Sequence, residues 1–341
     1  MIITRLEGGL GNQMFEYAAA RWLSEKHSTE IKFDISWFAM QALRQYKLNC
    51  FNVHEQFATR QEIDTIVGNY SITKWLALKI GRKLGLKQAP ADLETQREVT
   101  AILNNHSYNL FSWWFARLKH KVGLHNSEKE LYQQGKYFRE KHHHFDEDFL
   151  NLPDHVYIQG FWQSEKYFSG IEDTLRQEFS LRNPTTELFH QMSQAIASTN
   201  AVSLHVRRGD MANNSETNRL HGACSLDYYK SAVECISERV NQPHFFIFSD
   251  DPVWVEKNLN LKFPVTLVSG SNQFHDYEEL HLISLCQHHI TANSSFSWWG
   301  AWLNRKLDKI VVCPKQWFGD FSHDHDTKDL IPEGWIRLER S

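Results

Sequence analysis

Two adjacent arginines at the end of a short apolar run are the residues whose types most directly suggest chemistry. Residues 201–206 have the β-branched, alternating pattern of a buried strand, and Arg207 and Arg208 follow at once. Ligands of open α/β sheets bind at the carboxyl ends of strands, and paired guanidiniums there suit a doubly charged anion. The pattern therefore predicts a site for a substrate that carries a diphosphate.

Neighbouring residues extend this candidate site. Side chains alternate along a strand, so His205 and Arg207 point the same way and could share one ligand. Asp210 and Glu216 lie within a few residues of the arginines, and either could act as a general base. The alternative is a solvated or ion-paired carboxylate, for example Asp210 beside Arg208.

A second apolar strand, residues 244–249, ends in two acids. Asp250 and Asp251 could accept hydrogen bonds from a guanine base or from a ribose hydroxyl. Either acid could instead cap the helix that Pro252 begins, and the two roles could be divided between them.

A serine-rich segment, residues 293–300, follows a later strand and opens a helix. Helix N-terminal amides and serine hydroxyls together bind anions well. The candidate phosphate ligands in this segment are Ser294, Ser295, Phe296 and Ser297. The tryptophan pair 298–299 is expected in the core rather than against a ligand.

A glycine-rich turn follows the first strand. Its backbone can approach a phosphate or sugar closely. The candidate ligands here are Gly9, Gly11, Asn12 and Gln13. The turn also resembles a dinucleotide fingerprint with Asp34 as the ribose acid, so an NAD-dependent oxidoreductase is an alternative. Met14 argues against it, because the fingerprint requires a glycine there.

Regular alternation of elements would position these residues. Residues 1–35 indicate a strand, a turn, a helix and a strand, and helices alternate with strands from 184 to 313. We expect an α/β fold with a domain at 1–180, a second at 181–341, and a cleft between them. A helical insertion is expected at about 60–135, where the composition is basic and aromatic.

Composition excludes several classes of protein. The 341 residues are 41% hydrophobic and 23% charged with a net charge of −4, so a soluble globular protein is expected, with no general affinity for nucleic acid. Five scattered cysteines without a Cys-x-x-Cys motif favour a reducing compartment over disulfides or zinc. The first residues lack the apolar core of a signal peptide, and nothing resembles a membrane span, which predicts a cytoplasmic protein.

A catalytic metal is not expected. Residues 324–326 read Asp-His-Asp, but they lie in a polar tail and follow no strand. The histidines at 142–144 lack the i, i+4 spacing of a helical metal site. We therefore predict that arginine neutralises the substrate's charge.

Four blocks in this order resemble the bacterial α-1,2-fucosyltransferases of glycosyltransferase family 11. They are residues 8–15, 205–210, 248–251 and 292–302. One departure is Glu16, where relatives usually have glutamine.

The resemblance implies a GT-B-like architecture of two Rossmann-type domains. It implies an inverting, metal-independent hexosyltransferase that moves L-fucose from GDP-β-L-fucose to the 2-hydroxyl of a terminal β-galactoside, without a cofactor. Arg207 and Arg208 would bind the diphosphate, and Asn12 would reach toward the fucose. His205 and Asp250 or Asp251 would lie near the nucleoside. Residues 294–297 would support the phosphates.

The same resemblance suggests O-antigen or capsule synthesis on a lipid carrier. The basic, tryptophan-rich segments 74–87 and 111–121 could then rest on the inner membrane surface, or they could form an ordinary helical insertion. A non-catalytic sugar-binding module, which twelve tryptophans permit, is a further alternative. No motif distinguishes a Galβ1,3 from a Galβ1,4 acceptor.

Overall fold

The chain forms two parallel β-sheets covered by α-helices. The computed structural model describes residues 1–40, 44–67, 136–183, 186–209, 219, 222–270, 273–319 and 327–340. The strands are β1 (Ile2–Arg5), β2 (Ile31–Asp34), β3 (Tyr137–Arg139), β4 (Val156–Gln159), β5 (Asn200–Val206), β6 (Pro243–Ser249), β7 (Val265–Leu267), β8 (His288–Ile290), β9 (Val311–Pro314) and β10 (Ile336–Leu338). The helices are α1 (Leu10–His27), α2 (Arg60–Val67), α3 (Glu172–Glu178), α4 (Glu187–Ala197), α5 (Leu226–Ser237), α6 (Pro252–Asn258), α7 (Asp276–Leu285) and α8 (Ser295–Leu303).

The first sheet has the strand order β2-β1-β4-β3, and all its pairs are parallel. Ile2 of β1 lies opposite Ile31 on one side and Val156 on the other. The strand order reverses between the neighbouring strands β1 and β4. Because ligands of such sheets bind where the strand order reverses, the glycine turn after β1 lies where a ligand is expected.

The second sheet has the order β10-β9-β8-β5-β6-β7, again entirely parallel. Counted from β5, this is the 3-2-1-4-5-6 order of a doubly wound nucleotide-binding fold. Its reversal lies between β5 and β8. The loop that carries Arg207 follows β5, and the segment that ends in Ser294 follows β8, so the topology brings these two motifs to one crevice.

The structure confirms the predicted α/β, GT-B-like class. The apolar runs of the second half form the expected strands and helices within a few residues, whereas β3 and β10 were not predicted. The domain division at 180 stays a prediction. Most of the expected insertion, including the basic segments 74–87 and 111–121, lies outside the described residues. No helix in the described ranges is long and apolar enough to cross a bilayer.

An aromatic core joins the two sheets' helices. Phe15 of α1 packs against Trp298 and Trp299 of α8, with ring centroids 4.5 and 4.7 Å apart. Both tryptophans are fully buried, which confirms the prediction that they belong to the core. The Trp299 indole donates to the Gly11 carbonyl oxygen at 2.9 Å and so fixes α8 against the glycine turn.

Gly11 is required by this helix contact. A Cβ at this position would lie 2.6 Å from the carbonyl carbon of Ser295 and 2.7 Å from the amide nitrogen of Phe296. These are backbone atoms at the start of α8, and they cannot rotate away. The glycine therefore brings the two candidate ligand segments together.

Glu16, the departure from the family pattern, is completely buried. Its Oε2 accepts from the Glu7 amide at 2.9 Å, while Oε1 has no hydrogen-bond partner in the described structure. Burial, with the nearby Glu7 and Glu140, raises the pKa of Glu16 well above its usual value. The surroundings of Glu16 therefore favour the protonated form of its carboxyl group over the charged form.

Glu16→Gln is expected to raise the melting temperature by a few degrees at pH 8 and to change it little near pH 4. The stability that such a carboxyl contributes is fully present below its unfolded pKa and is lost as the pH rises through its raised folded pKa. The neutral amide escapes this loss. Thermal unfolding at both pH values measures the effect, and a lower melting temperature of the variant at pH 8 would contradict it.

Candidate functional site

A cleft of about 600 Å³ lies between the carboxyl edges of the two sheets. From the side of the first sheet it is lined by Gly9, Gly11, Asn12, Arg44, Phe161 and Gln163. From the side of the second it is lined by His205, Arg207, Asp250, Ser294, Ser295 and Phe296. A depression of about 820 Å³ lies at the opposite, amino edge of the second sheet, but it is lined by no charged lysine, arginine, aspartate or glutamate. The cleft between the two sheets is therefore the candidate functional site.

Arg207 lies in the cleft with its guanidinium paired to the Asp250 carboxylate. The second Asp250 oxygen accepts from the Arg208 amide at 2.8 Å. Gly209 is needed here, because a Cβ would lie 2.7 Å from that carboxylate. Asp250 therefore fixes both the strand end and the arginine side chain.

Arg208 follows Arg207 beyond the end of β5 and contacts the start of α6 instead of the cleft. Its guanidinium carbon lies 4.1 Å from the centre of the Trp254 ring, and its Nε lies 3.6 Å from an Asp251 oxygen. It is absent from the residues that line the cleft. The structure brings only one of the two predicted arginines to the site.

Asp251 caps α6. Its carboxylate accepts from the Trp254 amide at 3.1 Å, and Pro252 is the first residue of the helix. Of the roles that the sequence left open, the helix cap belongs to Asp251, while Asp250 lines the cleft and its contact with a nucleoside stays a prediction.

His205 is buried beside the arginine and lines the cleft. Its ring lies 5.5 Å from that of Phe296, and its Nδ1 has no hydrogen-bond partner among the described residues. Burial and the neighbouring Arg207 lower the pKa of His205 to about 4, against the opposing effect of Asp250. At neutral pH the site therefore offers an uncharged imidazole that can hydrogen-bond a ligand.

The first turn of α8 forms the floor of the cleft. Ser294, Ser295 and Phe296 line it, and the Ser294 side chain makes no capping bond to its own helix. The leading amides of a helix lack partners within that helix and favour an anion. Ser297 differs, since it is fully buried and its hydroxyl donates to the Ser294 carbonyl oxygen at 3.3 Å.

Asn12 links the two sides of the cleft. Its Oδ1 accepts from the Ser295 hydroxyl at 2.8 Å and from the side-chain Nε2 of Gln163 at 3.0 Å. The glycine turn, the loop after β4 and the start of α8 therefore meet at one side chain. Gly9, the residue before α1, lines the cleft through its backbone.

Gln13 supports the cleft from behind. It is fully buried, its Nε2 donates to the carbonyl oxygens of Gly8 and Gln45, and its Oε1 accepts from the Lys47 amide at 2.9 Å. Its side chain is not among those that line the cleft. In this structure the Gln13 side chain attaches the segment 44–47, and its role as a ligand stays a prediction.

Glu140 is a supporting residue that sequence reasoning missed. Its two oxygens accept from the amides of Phe161 and Trp162 at 2.7 and 3.1 Å, just after β4. Gly160 permits this approach, because a Cβ there would lie 2.3 Å from the Glu140 Cβ. Burial raises the pKa of Glu140 to about 7. The carboxyl group holds the loop that presents Phe161 and Gln163 to the cleft.

Glu279 was also missed. It lies one turn inside α7 and lines the cleft, and no strand or glycine signal marks it in the sequence. Burial raises its pKa to about 7, while a hydrogen bond with Ser269 opposes the shift and Asp276 adds to it. It is a cleft acid close to its point of ionisation at neutral pH.

The candidate bases Asp210 and Glu216 lie outside the described part of the chain and stay predictions. Residues 324–326, at which no metal site is expected, also lie outside it. In the histidine run, His143 lines the cleft and contacts the Phe318 ring, while His142 and His144 stack at 4.9 Å. Within the described ranges, no three His, Cys, Asp or Glu side chains gather as metal ligands.

The dinucleotide alternative fits the glycine turn poorly. Met14 is fully buried where the fingerprint requires glycine. The Asp34 carboxylate is also buried, and it accepts from the Tyr157 hydroxyl at 2.7 Å and from the Ser36 amide at 2.9 Å. The acid that would bind a ribose therefore serves the first sheet instead.

Comparison with known proteins identifies the family of this chain. The family described as Glycosyl transferase family 11 matches residues 115–339. An alpha-1,2-colitosyltransferase of Escherichia coli is 30% identical over 345 residues, covering 100% of this chain and 99% of the relative. The O-antigen biosynthesis glycosyltransferase WbnK of Escherichia coli is 27% identical, covering 98% and 99%.

A more distant relative matches about half the chain. The galactoside 2-alpha-L-fucosyltransferase SEC1 of Bos taurus is 24% identical over 165 residues, covering 46% of this chain and 45% of the relative. The family match and the full-length relatives decide against the oxidoreductase and the non-catalytic sugar-binding module. The chain belongs to glycosyltransferase family 11 and is a glycosyltransferase.

Proposed function

We propose that this glycosyltransferase moves L-fucose from GDP-β-L-fucose to the 2-hydroxyl of a terminal β-galactoside, with inversion and without a metal ion. The observation that carries the proposal is the meeting of Arg207, His205 and the start of α8 at the carboxyl edge of a nucleotide-binding sheet. The facing glycine turn and Asn12 complete a cleft large enough for a nucleotide sugar.

Charge neutralisation of the leaving group is the main demand of this reaction. As GDP departs, the anomeric carbon gains oxocarbenium character and the diphosphate gains negative charge. Arg207, held by Asp250, and the α8 amides are fixed before substrate binds. Preorganised donors lower the barrier because they need not reorient during the reaction.

We propose that the guanine base binds beside His205 and Glu279. Guanine presents two adjacent N–H donors, which suit a carboxylate, and Glu279 is the cleft acid of the second sheet's side that no described ion pair engages. The neutral His205 ring can accept or donate beside it. Asp250, which the sequence also placed near the nucleoside, is committed to Arg207 and to the Arg208 amide.

Glu279→Gln is expected to weaken GDP binding by about tenfold at pH 8 and to remove the part of its pH dependence that ionisation of Glu279 contributes. In the wild-type protein, protonation of Glu279 below about pH 7 replaces an acceptor with a donor, so affinity should fall as the pH falls through 7. Calorimetric titration with GDP between pH 6 and 8.5 measures both effects. A variant that keeps the wild-type pH profile would contradict this role.

The proton of the acceptor hydroxyl must pass to a base as the new bond forms. Asp210 and Glu216 remain the candidates, since both follow the Arg207 motif closely in the sequence. Such proton transfer contributes typically about 10²–10⁴-fold to the rate.

The acceptor and the cellular role are proposed from the full-length relatives. The name of WbnK supports an O-antigen glycan as the acceptor. A lipid-linked acceptor and a cytoplasmic enzyme at the inner membrane surface are further parts of the proposal. The colitosyltransferase supports a second donor, GDP-colitose, whose sugar lacks the 3-hydroxyl of fucose. Both donors would use the same diphosphate site.

The test is release of GDP from GDP-fucose and GDP-colitose, with and without lactose, lacto-N-biose and Galβ1,3GalNAc, all in EDTA. We expect acceptor-dependent release with GDP-fucose that survives EDTA. Faster release from GDP-colitose would identify GDP-colitose as the preferred donor. Release with neither donor, or release that EDTA abolishes, would contradict the proposal.

A further inference from the structure

Arg207 alone does not neutralise the charge that a nucleotide-sugar donor brings into the cleft. A nucleoside diphosphate sugar brings two negative charges, and the departing diphosphate gains another. Arg207 is already paired with Asp250, and Arg208 lies outside the cleft against Trp254 and Asp251. The second cation that the sequence expected at the diphosphate must therefore come from elsewhere.

Arg44 lies opposite, on the side of the first sheet. It lines the cleft, and its Nη1 lies 3.7 Å from the position that a Cβ on Gly9 would take. Among the described residues that line the cleft, Arg44 and Arg207 are the two arginines, and no lysine joins them. The guanidinium of Arg44 thus lies directly over the glycine turn.

The segment that carries Arg44 is held from both sides of the cleft. Gln13 binds it through the Gln45 carbonyl oxygen and the Lys47 amide, each at 2.9 Å. Tyr46 donates to Glu55 at 2.9 Å, and the Lys47 ammonium pairs with Asp276 at the start of α7. The backbone beside Arg44 is therefore fixed by bonds to both sheets' helices.

We propose that Arg44 binds the β-phosphate of the donor and, with Arg207, clamps the diphosphate from the two sides of the cleft. The inference rests on the proposed function. In this proposal the base lies beside His205 and Glu279. The β-phosphate, which bears the sugar, then lies nearest the glycine turn and therefore nearest Arg44. Gln13 is the positioning residue that holds the Arg44 segment over that turn.

The test is the affinity for GDP and for GMP, measured by calorimetry for the wild type, Arg44→Ala and Arg44→Lys. We expect Arg44→Ala to weaken GDP binding by about tenfold or more, because a charge-assisted bond to phosphate is lost, and to change GMP binding less than about twofold. Arg44→Lys should fall between, because lysine lacks the planar fork. Turnover should fall with Arg44→Ala even at saturating donor.

Arg305→Ala is the matched control. Arg305 is 63% exposed and lies 3.8 Å from Asp173, away from the cleft, so its loss changes the net charge equally. Its GDP affinity should remain that of the wild type. Unchanged GDP binding by Arg44→Ala, or equal weakening of GDP and GMP, would overturn the assignment to the β-phosphate. A wild-type protein that binds no GDP would instead contradict the proposed function itself.

Discussion

Arg207→Ala is expected to reduce transfer by about 100-fold or more, and Arg207→Lys to lose most of that activity as well. Removing one preorganised donor to a developing charge typically costs about 10²–10³-fold in turnover. Lysine keeps the charge but cannot reproduce two parallel N–H donors, nor hold Asp250 and a phosphate at once. Asp250 would also lose its ion pair with the guanidinium and keep only the bond from the Arg208 backbone amide.

Initial rates at saturating donor and acceptor measure this effect, with thermal unfolding to show that each variant is folded. Arg208→Lys is the matched control, because its guanidinium lies on the other face, against Trp254. It should lose less than about tenfold. Near-normal transfer by a folded Arg207→Lys protein would contradict the role of Arg207, and a larger loss at Arg208 would contradict the placement of the two arginines.

Gly11→Ala is expected to destabilise the protein by several kcal/mol and to abolish transfer in whatever remains folded. The added methyl would lie within 2.8 Å of three backbone atoms of Ser295 and Phe296. Overpacking of a tight contact typically costs about 1–3 kcal/mol or more, and here relief requires α8 to move away from α1. That movement would break the Trp299 bond to the Gly11 carbonyl and separate Asn12 from Ser295.

Chemical denaturation and transfer rates measure the two effects together. Gly9→Ala is the control, because a Cβ there meets only the end of the Arg44 side chain, at 3.7 Å, and the backbone φ is −86°. It should cost no more than about 1 kcal/mol, the usual range for alanine at a helix cap. Equal stability of Gly11→Ala and the wild type would show that the two helices tolerate separation.

The fold could be predicted from the sequence because its strands are short apolar runs bounded by turn residues. Residues 201–206 and 244–249 are examples, and both form central strands of the second sheet. The edge strands β3 and β10 were missed because they lie outside the regular alternation of residues 184–313, which predicted the equally short β7 and β8. The tryptophans at 298–299 were assigned to the core because large aromatic side chains are usually buried.

The sequence predicted the motifs that form the candidate site. It did not predict which of their side chains face the cleft, nor which residues from other parts of the chain join them. Arg207 and Arg208 follow β5 as a pair, but Arg207 lines the cleft and Arg208 packs on Trp254, a difference that the sequence motif does not reveal. Gln13 stands among the glycine-turn residues, yet its amide faces the segment 44–47. Arg44 and Glu279 come from a loop and a helix that carry no recognisable signal, and only the packing of the two sheets brings them to the cleft.

The configuration and linkage of the product test the central claim most directly. Wild-type protein would be incubated with GDP-β-L-fucose and lacto-N-biose in EDTA, and the product examined by NMR. The account predicts an α-linked fucose on O2 of the galactose, since attack opposite the departing diphosphate inverts the β-configuration of the donor. A β-linked product, attachment at another hydroxyl, or no transfer with either fucosyl or colitosyl donor would contradict it.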